Sequence, residues 1–186
     1  MTSVSYTSEK VENGLYDVKS FNSLPEKEIS LIEAYNLGLS QGKKFDKKAI
    51  LLFFNSVDDG IISGRNGKKM NWQGAFSLPT VNHNMVVIIE KGKLKRYRII
   101  DSSEEFTIPD SEIKIDSTNI VNSAIEKFKL LPRDDSFSHG YHFRLVRDEK
   151  YIFLGVDGKI NNQNAEIFYN PKNGEYLGDV MTPKNN

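Results

Sequence analysis

The chain has 186 residues, with 25 Lys plus Arg against 25 Asp plus Glu, 38% hydrophobic residues and no cysteine. At roughly 150 residues per domain this allows one ordinary domain or two small ones, with enough apolar residues for a core. Balanced charge excludes bulk attraction to nucleic acid or anionic membrane; the missing cysteines exclude disulfides, thiol nucleophiles, Fe–S clusters and thiolate zinc sites.

Residues 1–22 are polar and Ser/Thr-rich and read as a leader. They lack the basic start and apolar stretch of a secretory signal, and no run approaches the roughly 18 apolar residues of a membrane span. Such a leader suits a cytoplasmic chain. It equally suits a tether that follows a removed signal or lipid-anchor segment upstream of Thr2. Ser23-Leu24-Pro25-Glu26 then has the form of a capping box with proline in the first turn. Ile29, Ile32, Tyr35 and Leu39 recur at helical spacing, which predicts a helix over about 24–41, weakened at Gly38 and stopped at Gly42. The apolar run Ala49–Phe54 reads as a strand, and the glycine-rich stretch from Asp58 to Lys69 as a long loop. Trp72–Leu78 alternates, and Met85–Ile89 and Leu94–Ile100 form a hairpin around Glu90–Lys93.

A polar connection with Asp101, Glu104, Glu105 and Asp110 follows. Ser117–Phe128 begins with capping residues and carries Ile120, Val121, Ala124, Ile125 and Phe128 on one face, so a second helix is predicted, ending before Pro132. Tyr141–Val146 and Tyr151–Val156 read as strands around the turn Arg147–Lys150. Asp157–Asn164 reads as an Asn-rich loop, and Ala165–Tyr169 and Glu175–Leu177 as strands around the turn Asn170–Gly174.

The order helix, then about four strands, therefore occurs twice without residue identity between the copies. The expected fold is α+β, two helix-plus-antiparallel-sheet modules in tandem: 23–101 and 116–180, joined by 102–115 and followed by a tail at 181–186. The competing arrangement is one continuous sheet with both helices packed on it. The second half resembles the PepSY-type module, a small fold similar in shape to cystatin-like domains. The resemblance rests on the helix Ile120–Phe128, the strands Tyr141–Val146 and Tyr151–Val156, and the closing run Ile167–Leu177. It covers about the last third of the chain. It implies a binding or inhibitory module, found mostly outside the bacterial cytoplasmic membrane and often in lipoproteins, without shared catalytic residues.

Three histidines are the main metal candidates. His139 and His142 are three apart in a segment read as a turn entering a strand, where such side chains point to opposite faces. Asp134 and Asp135 lie just upstream as oxygen donors, and His83 sits alone in a polar turn. There is no Gly-x-Ser-x-Gly elbow, no phosphate loop among Gly60, Gly64 and Gly67, and no bidentate Glu to complete a calcium loop from Asp157. No catalytic residue, metal ligand set or cofactor is assigned. The residues named for binding are the basic hairpin Lys93, Lys95, Arg96 and Arg98, next to Lys91, together with His139, Tyr141 and His142. Trp72 is expected in the core. The function expected is a non-catalytic protein- or peptide-binding or inhibitory module of a bacterial cell-envelope or secreted (lipo)protein, using the open sheet face or an edge strand. Two alternatives are a cytoplasmic immunity- or antitoxin-like inhibitor and a small metal-dependent hydrolase built on His139, His142 and Asp134 or Asp135.

Overall fold

A computed structural model describes residues 6–10, 14–20, 25–103 and 106–182. In chain order the elements are β1 (Tyr6–Lys10), β2 (Leu15–Ser20), β3 (Ile29–Ser30), α1 (Leu31–Gly42), β4 (Ile50–Val57), β5 (Lys68–Lys69), β6 (Asn71–Leu78), β7 (His83–Glu90) and β8 (Lys93–Asp101). A 3-10 turn at Asp110–Glu112 precedes α2 (Ser117–Phe128), β9 (Arg133–Asp135), β10 (Ser138–Gly140), β11 (His142–Arg147), β12 (Ile152–Ile160), β13 (Gln163–Tyr169) and β14 (Tyr176–Met181).

Ten strands make one antiparallel sheet in the order β1-β2-β8-β7-β6-β4-β11-β12-β13-β14. This corrects the expected fold of two separate helix-plus-sheet modules: the protein is predominantly β, with both helices on a single sheet. Outward from the β4–β11 contact the strands follow chain order as β4-β6-β7-β8 on one side, before β2 and β1 close that edge, and as β11-β12-β13-β14 on the other, which is why the sequence pattern looks duplicated. β4 and β11 pair at Phe54–Leu145 and Asn55–Arg144. Trp72 stacks on Phe143 across this seam, ring centroids 6.2 Å apart, and the buried apolar residues of both halves belong to one core. Separate modules would leave β4 and β11 as open edges with unpaired backbone groups flanked by large aromatic side chains. Where β4 and β11 diverge, Ile108 of the connection takes the vacant place, its N–H donating to Leu51 O at 2.7 Å.

α1 lies against β4, β6, β7 and β8, and α2 against β12. Gly38 is the point of closest approach of α1. A Cβ there would come within 2.6 Å of the Phe76 ring, so the residue that weakens the helix locally is the one that lets it reach the sheet. The capping box of α1 is Ser30 with Glu33, seven residues later than the sequence pattern suggests: Ser30 N–H donates to Glu33 Oε2 at 2.9 Å and Glu33 N–H to Ser30 Oγ at 3.3 Å. Ile29 and Ser30 pair with Lys69 and Lys68, and this short ladder holds the chain extended up to the cap. Of the proposed earlier cap, Ser23 and Leu24 lie outside the described residues. α2 keeps its predicted bounds, and Lys129 closes it in the left-handed conformation (φ 57°).

The two helices begin at the same place. Leu31 N–H donates to Ser117 Oγ at 2.9 Å and Ile32 N–H to Asp116 Oδ1 at 3.1 Å, while Ser117 Oγ–H donates to Gly67 O at 2.6 Å. The Asp116 carboxylate thus sits between two positive helix ends and accepts donors from both, including Ser117 N–H at 2.7 Å.

Part of the segment read as a leader is sheet. β1 pairs with β2, and β2 with β8, where Tyr16 stacks on Tyr97 at 4.9 Å. Residues 1–5, 11–13 and 21–22 of that segment, Glu104 and Glu105 of the connection, and residues 183–186 of the tail lie outside the described residues. The expected Asn-rich loop is shorter than read. β12 runs on to Ile160, and only Asn161 and Asn162, at φ 51° and 61°, make the two-residue turn into β13.

Candidate functional site

The basic hairpin lies inside the sheet, since β2 flanks β8. Its charges are partly answered. Lys91 Nζ is 2.8 Å from Glu26 Oε1, and Arg96 reaches Asp17 at 3.1 Å and Glu90 at 3.9 Å. Ile88 pairs with Arg96 and Ile89 with Leu94, so Lys95 is the extra residue of a bulge. Lys93 is half-buried, and Lys95 and Arg98 are exposed.

The 139–142 segment is built differently from its sequence reading. β10 ends at Gly140, whose φ of +83° turns the chain before β11. A Cβ at this position would lie 2.2 Å from Ser63 O, so glycine also permits the 58–67 loop to press against the segment. The turn brings both imidazoles to one carboxylate. His139 Nδ1 is 3.0 Å from Asp58 Oδ2, and His142 Nε2 is 3.9 Å from Asp58 Oδ1. His142 also lies 3.3 Å from Ser56 Oγ and 3.1 Å from His139 O. Asp134 and Asp135, the expected carboxylate partners, are not the ones that meet the histidines; Asp135 pairs with Arg133 at 2.9 Å. Tyr141, named as a binding residue, is core. Its ring is buried, its hydroxyl donates to Leu130 O at 3.1 Å, and its N–H donates to Ser63 O at 2.9 Å.

Beneath this lies a buried ion pair. Lys69 Nζ is 3.0 Å from Asp59 Oδ1 and donates to His139 O at 3.2 Å, while Ser63 Oγ–H donates to the Asp59 carboxylate at about 3 Å. The Lys69 side chain has no exposed surface and Asp59 retains 5%. The electrostatics follow from these contacts. Burial alone would raise the Asp58 carboxyl, but the His139 ring and the N–H groups of Gly60 and His139 hold it below its ordinary value. Burial, reinforced by nearby Lys69, pushes His142 below the usual histidine range. On the open sheet face His142 borders a cleft of about 300 Å³ lined also by Asn55, Arg133, Arg144, Asp157 and Glu166. Burial raises Glu166, with Arg144 beside it acting in the opposite sense. The cleft's charges are largely paired among themselves, since Arg133 reaches Asp157 at 3.0 Å and Arg144 is bonded to Glu166. Among the described residues no group of three His, Cys, Asp or Glu is placed to hold a metal ion. The arrangement ties the 58–67 loop to the β10–β11 segment. Asp58, Asp59, Ser63 and Lys69 carry it, and no local sequence signal marks them, because their partners are up to 81 residues away.

The other distinctive surface is the β14 edge. Tyr176, Leu177, Val180 and Met181 are 43%, 38%, 61% and 47% exposed, and among the described residues β14 pairs only with β13. Thr182 N–H donates inward to Asn164 O at 2.9 Å. By strand alternation the main-chain groups of Asp179 and Met181 point outward, away from the sheet. Edge strands are commonly blunted by lysine or proline, and β14 contains neither.

The sequence matches no family model and no curated protein, so the PepSY- and cystatin-type resemblance gains no support from sequence comparison. Among solved structures, the fold is similar to that of a protein from Clostridium difficile 630 described as a "putative lipoprotein". The TM-score is 0.56 at 12% identity, over 80% of this chain and 92% of that one. At that identity the likeness shows the fold alone. No helix among the described residues is long and apolar enough to cross a membrane.

Proposed function

We propose that this chain is a non-catalytic binding module of the bacterial cell envelope that takes an extended peptide or protein segment by strand addition at β14. The observation that carries the reading is the edge itself: outward main-chain groups at Asp179 and Met181 beside four exposed apolar side chains, on a strand without lysine or proline. Main-chain hydrogen bonds supply affinity in such additions, and alternate side chains supply selectivity. The description of the Clostridium difficile neighbour supports the location, with a lipid as the means of attachment.

Binding is tested by panning a displayed random-peptide library against the protein and against its Asp179→Pro variant. Proline there removes an outward N–H and leaves the ladder to β13 intact. Peptides enriched on the parent and lost on the variant are expected; equal enrichment on both defeats the reading. Location is tested by fractionating cells that express the native gene and labelling them with palmitate. A labelled, detergent-released membrane protein is expected, and recovery in the cytosol refutes the assignment.

A further inference from the structure

On the open face of the sheet, β11, β12 and β13 set His142, Asp157 and Glu166 side by side, with Arg144, Gly155 and Phe168 in the next row. By strand alternation both rows lie opposite the buried Phe143, Val156 and Ile167. The cleft of about 300 Å³ sits over them and reaches Asn55 of β4 and Arg133 of β9. Gly155 shapes its floor. A Cβ there would collide with Glu166 Oε1 and come within 3.3 Å of Arg144 Cγ, so glycine is what lets the Arg144–Glu166 pair lie across β12. On the wall, Asn55 Oδ1 is buried and accepts no hydrogen bond among the described residues, a cost that a donor brought into the cleft would relieve. Beyond the cleft the face turns aromatic. The Arg144 guanidinium lies 5.5 Å from the Phe168 ring centroid, Phe168 is 5.6 Å from Phe153, and Phe153 is 5.9 Å from Tyr151.

The charges of the cleft select the class of ligand. Arg133 holds Asp157 Oδ2 and Arg144 holds Glu166 Oε1, two cations against two carboxylates. Asp135 shares Arg133 from outside the cleft and has Lys159 as a further cation nearby. Arg133, Asp157 and Glu166 keep only 20%, 25% and 21% of their side-chain surface in solvent. An ionic ligand of either sign would break a pair and leave one of these charges alone, which is costly. A neutral ligand keeps both pairs. It meets Asp157 Oδ1, Glu166 Oε2 and the terminal nitrogens of Arg144, which make no hydrogen bond among the described residues. Acceptors and donors stand together there, and a hydroxyl group serves both. A compound with adjacent hydroxyls and apolar C–H ring faces matches the cleft and the aromatic strip together. We propose that this open-face cleft binds a neutral saccharide, its hydroxyls held by Arg144, Asp157, Glu166 and Asn55 and its chain continuing onto Phe168 and Phe153. The site is separate from the β14 edge and does not depend on the strand-addition reading.

The test titrates the full chain calorimetrically with a panel of neutral hexasaccharides (malto-, cello-, manno-, xylo- and N-acetylchito-oligomers), with hexagalacturonate as the charged control. Binding of at least one neutral member, insensitive to added salt, is expected, and none of hexagalacturonate. Arg144→Met with Glu166→Leu removes an ion pair together and leaves neither charge alone. It should weaken the saccharide about tenfold or more, the scale of lost hydrogen bonds to charged groups, with the thermal midpoint kept. Asn55→Ala leaves both ion pairs in place and should weaken binding severalfold, which keeps the site testable if the double variant does not fold. Asp179→Pro should leave saccharide binding unchanged. Absence of binding across the neutral panel overturns the proposal, as does binding that neither cleft variant alters. Preference for hexagalacturonate overturns the neutral ligand. Peptides captured by the parent that need Arg144 and Glu166 but not the β14 edge overturn it by giving the cleft to a polypeptide.

Discussion

The seam at the centre of the sheet and the strand at its rim invert the usual distribution of polarity. Around the seam, polar groups are buried and partnered: Lys69 with Asp59, and Ser117 with two backbone groups. At the rim, apolar groups on β14 are exposed. A polar group buried with its partners costs stability only when a partner is lost. An apolar group left in water is a contact not yet made. The difference separates the groups that hold the protein together from those available to something else.

Four variants break or sharpen this contrast. Lys69→Met leaves the Asp59 carboxylate buried without its cation and should cost about 3–5 kcal/mol in urea denaturation. Adding Asp59→Leu should recover most of it, and a double variant no better than the single one would deny the pair its role. Ser117→Ala removes the hydroxyl shared by Leu31 N–H and Gly67 O, and should cost about 1–3 kcal/mol. Asp179→Pro at the rim should cost less than about 1 kcal/mol and act on binding instead. A loss of stability as large as that of the seam variants would show that β14 is structural.

The smallest effect concerns pH. His142 titrates lower in the folded chain than its usual 6.5 because of burial. The unfolded chain therefore binds its proton more readily. The stability tied to neutral His142 is complete above the ordinary value and is lost as pH falls through the depressed one. His142→Gln should flatten the decline of the thermal midpoint from pH 7 towards acid. A slope identical to the parent's would remove His142 from the account.

Legibility in the sequence followed the range of the interactions. α2 was readable from residue to residue because its start, apolar face and end are local, and so were β7 and β8 around Lys91–Gly92. The start of α1 was misplaced because two Ser-x-x-Glu patterns compete, and the short β3–β5 pairing with Lys68 and Lys69 decides between them. The union of the halves was not legible. It rests on two paired positions between strands about 90 residues apart, and periodicity carries no information about which strands meet. The convergence of His139 and His142 was missed for a narrower reason. Strand parity holds only where the strand is continuous, and Gly140 interrupts it.

The meeting of the helix starts has a kinetic consequence. The hydrogen bonds from Leu31 and Ile32 to Ser117 and Asp116 close loops of 86 and 84 residues, so the entropy of closure comes before the reward. The start of α1 lacks these acceptors for its Leu31 and Ile32 N–H groups until the other half has arrived. The molecule should accordingly form slowly for its size and come apart in a single transition, and a chain cleaved in the 102–115 connection should hold together or unfold as a whole rather than survive as one folded half.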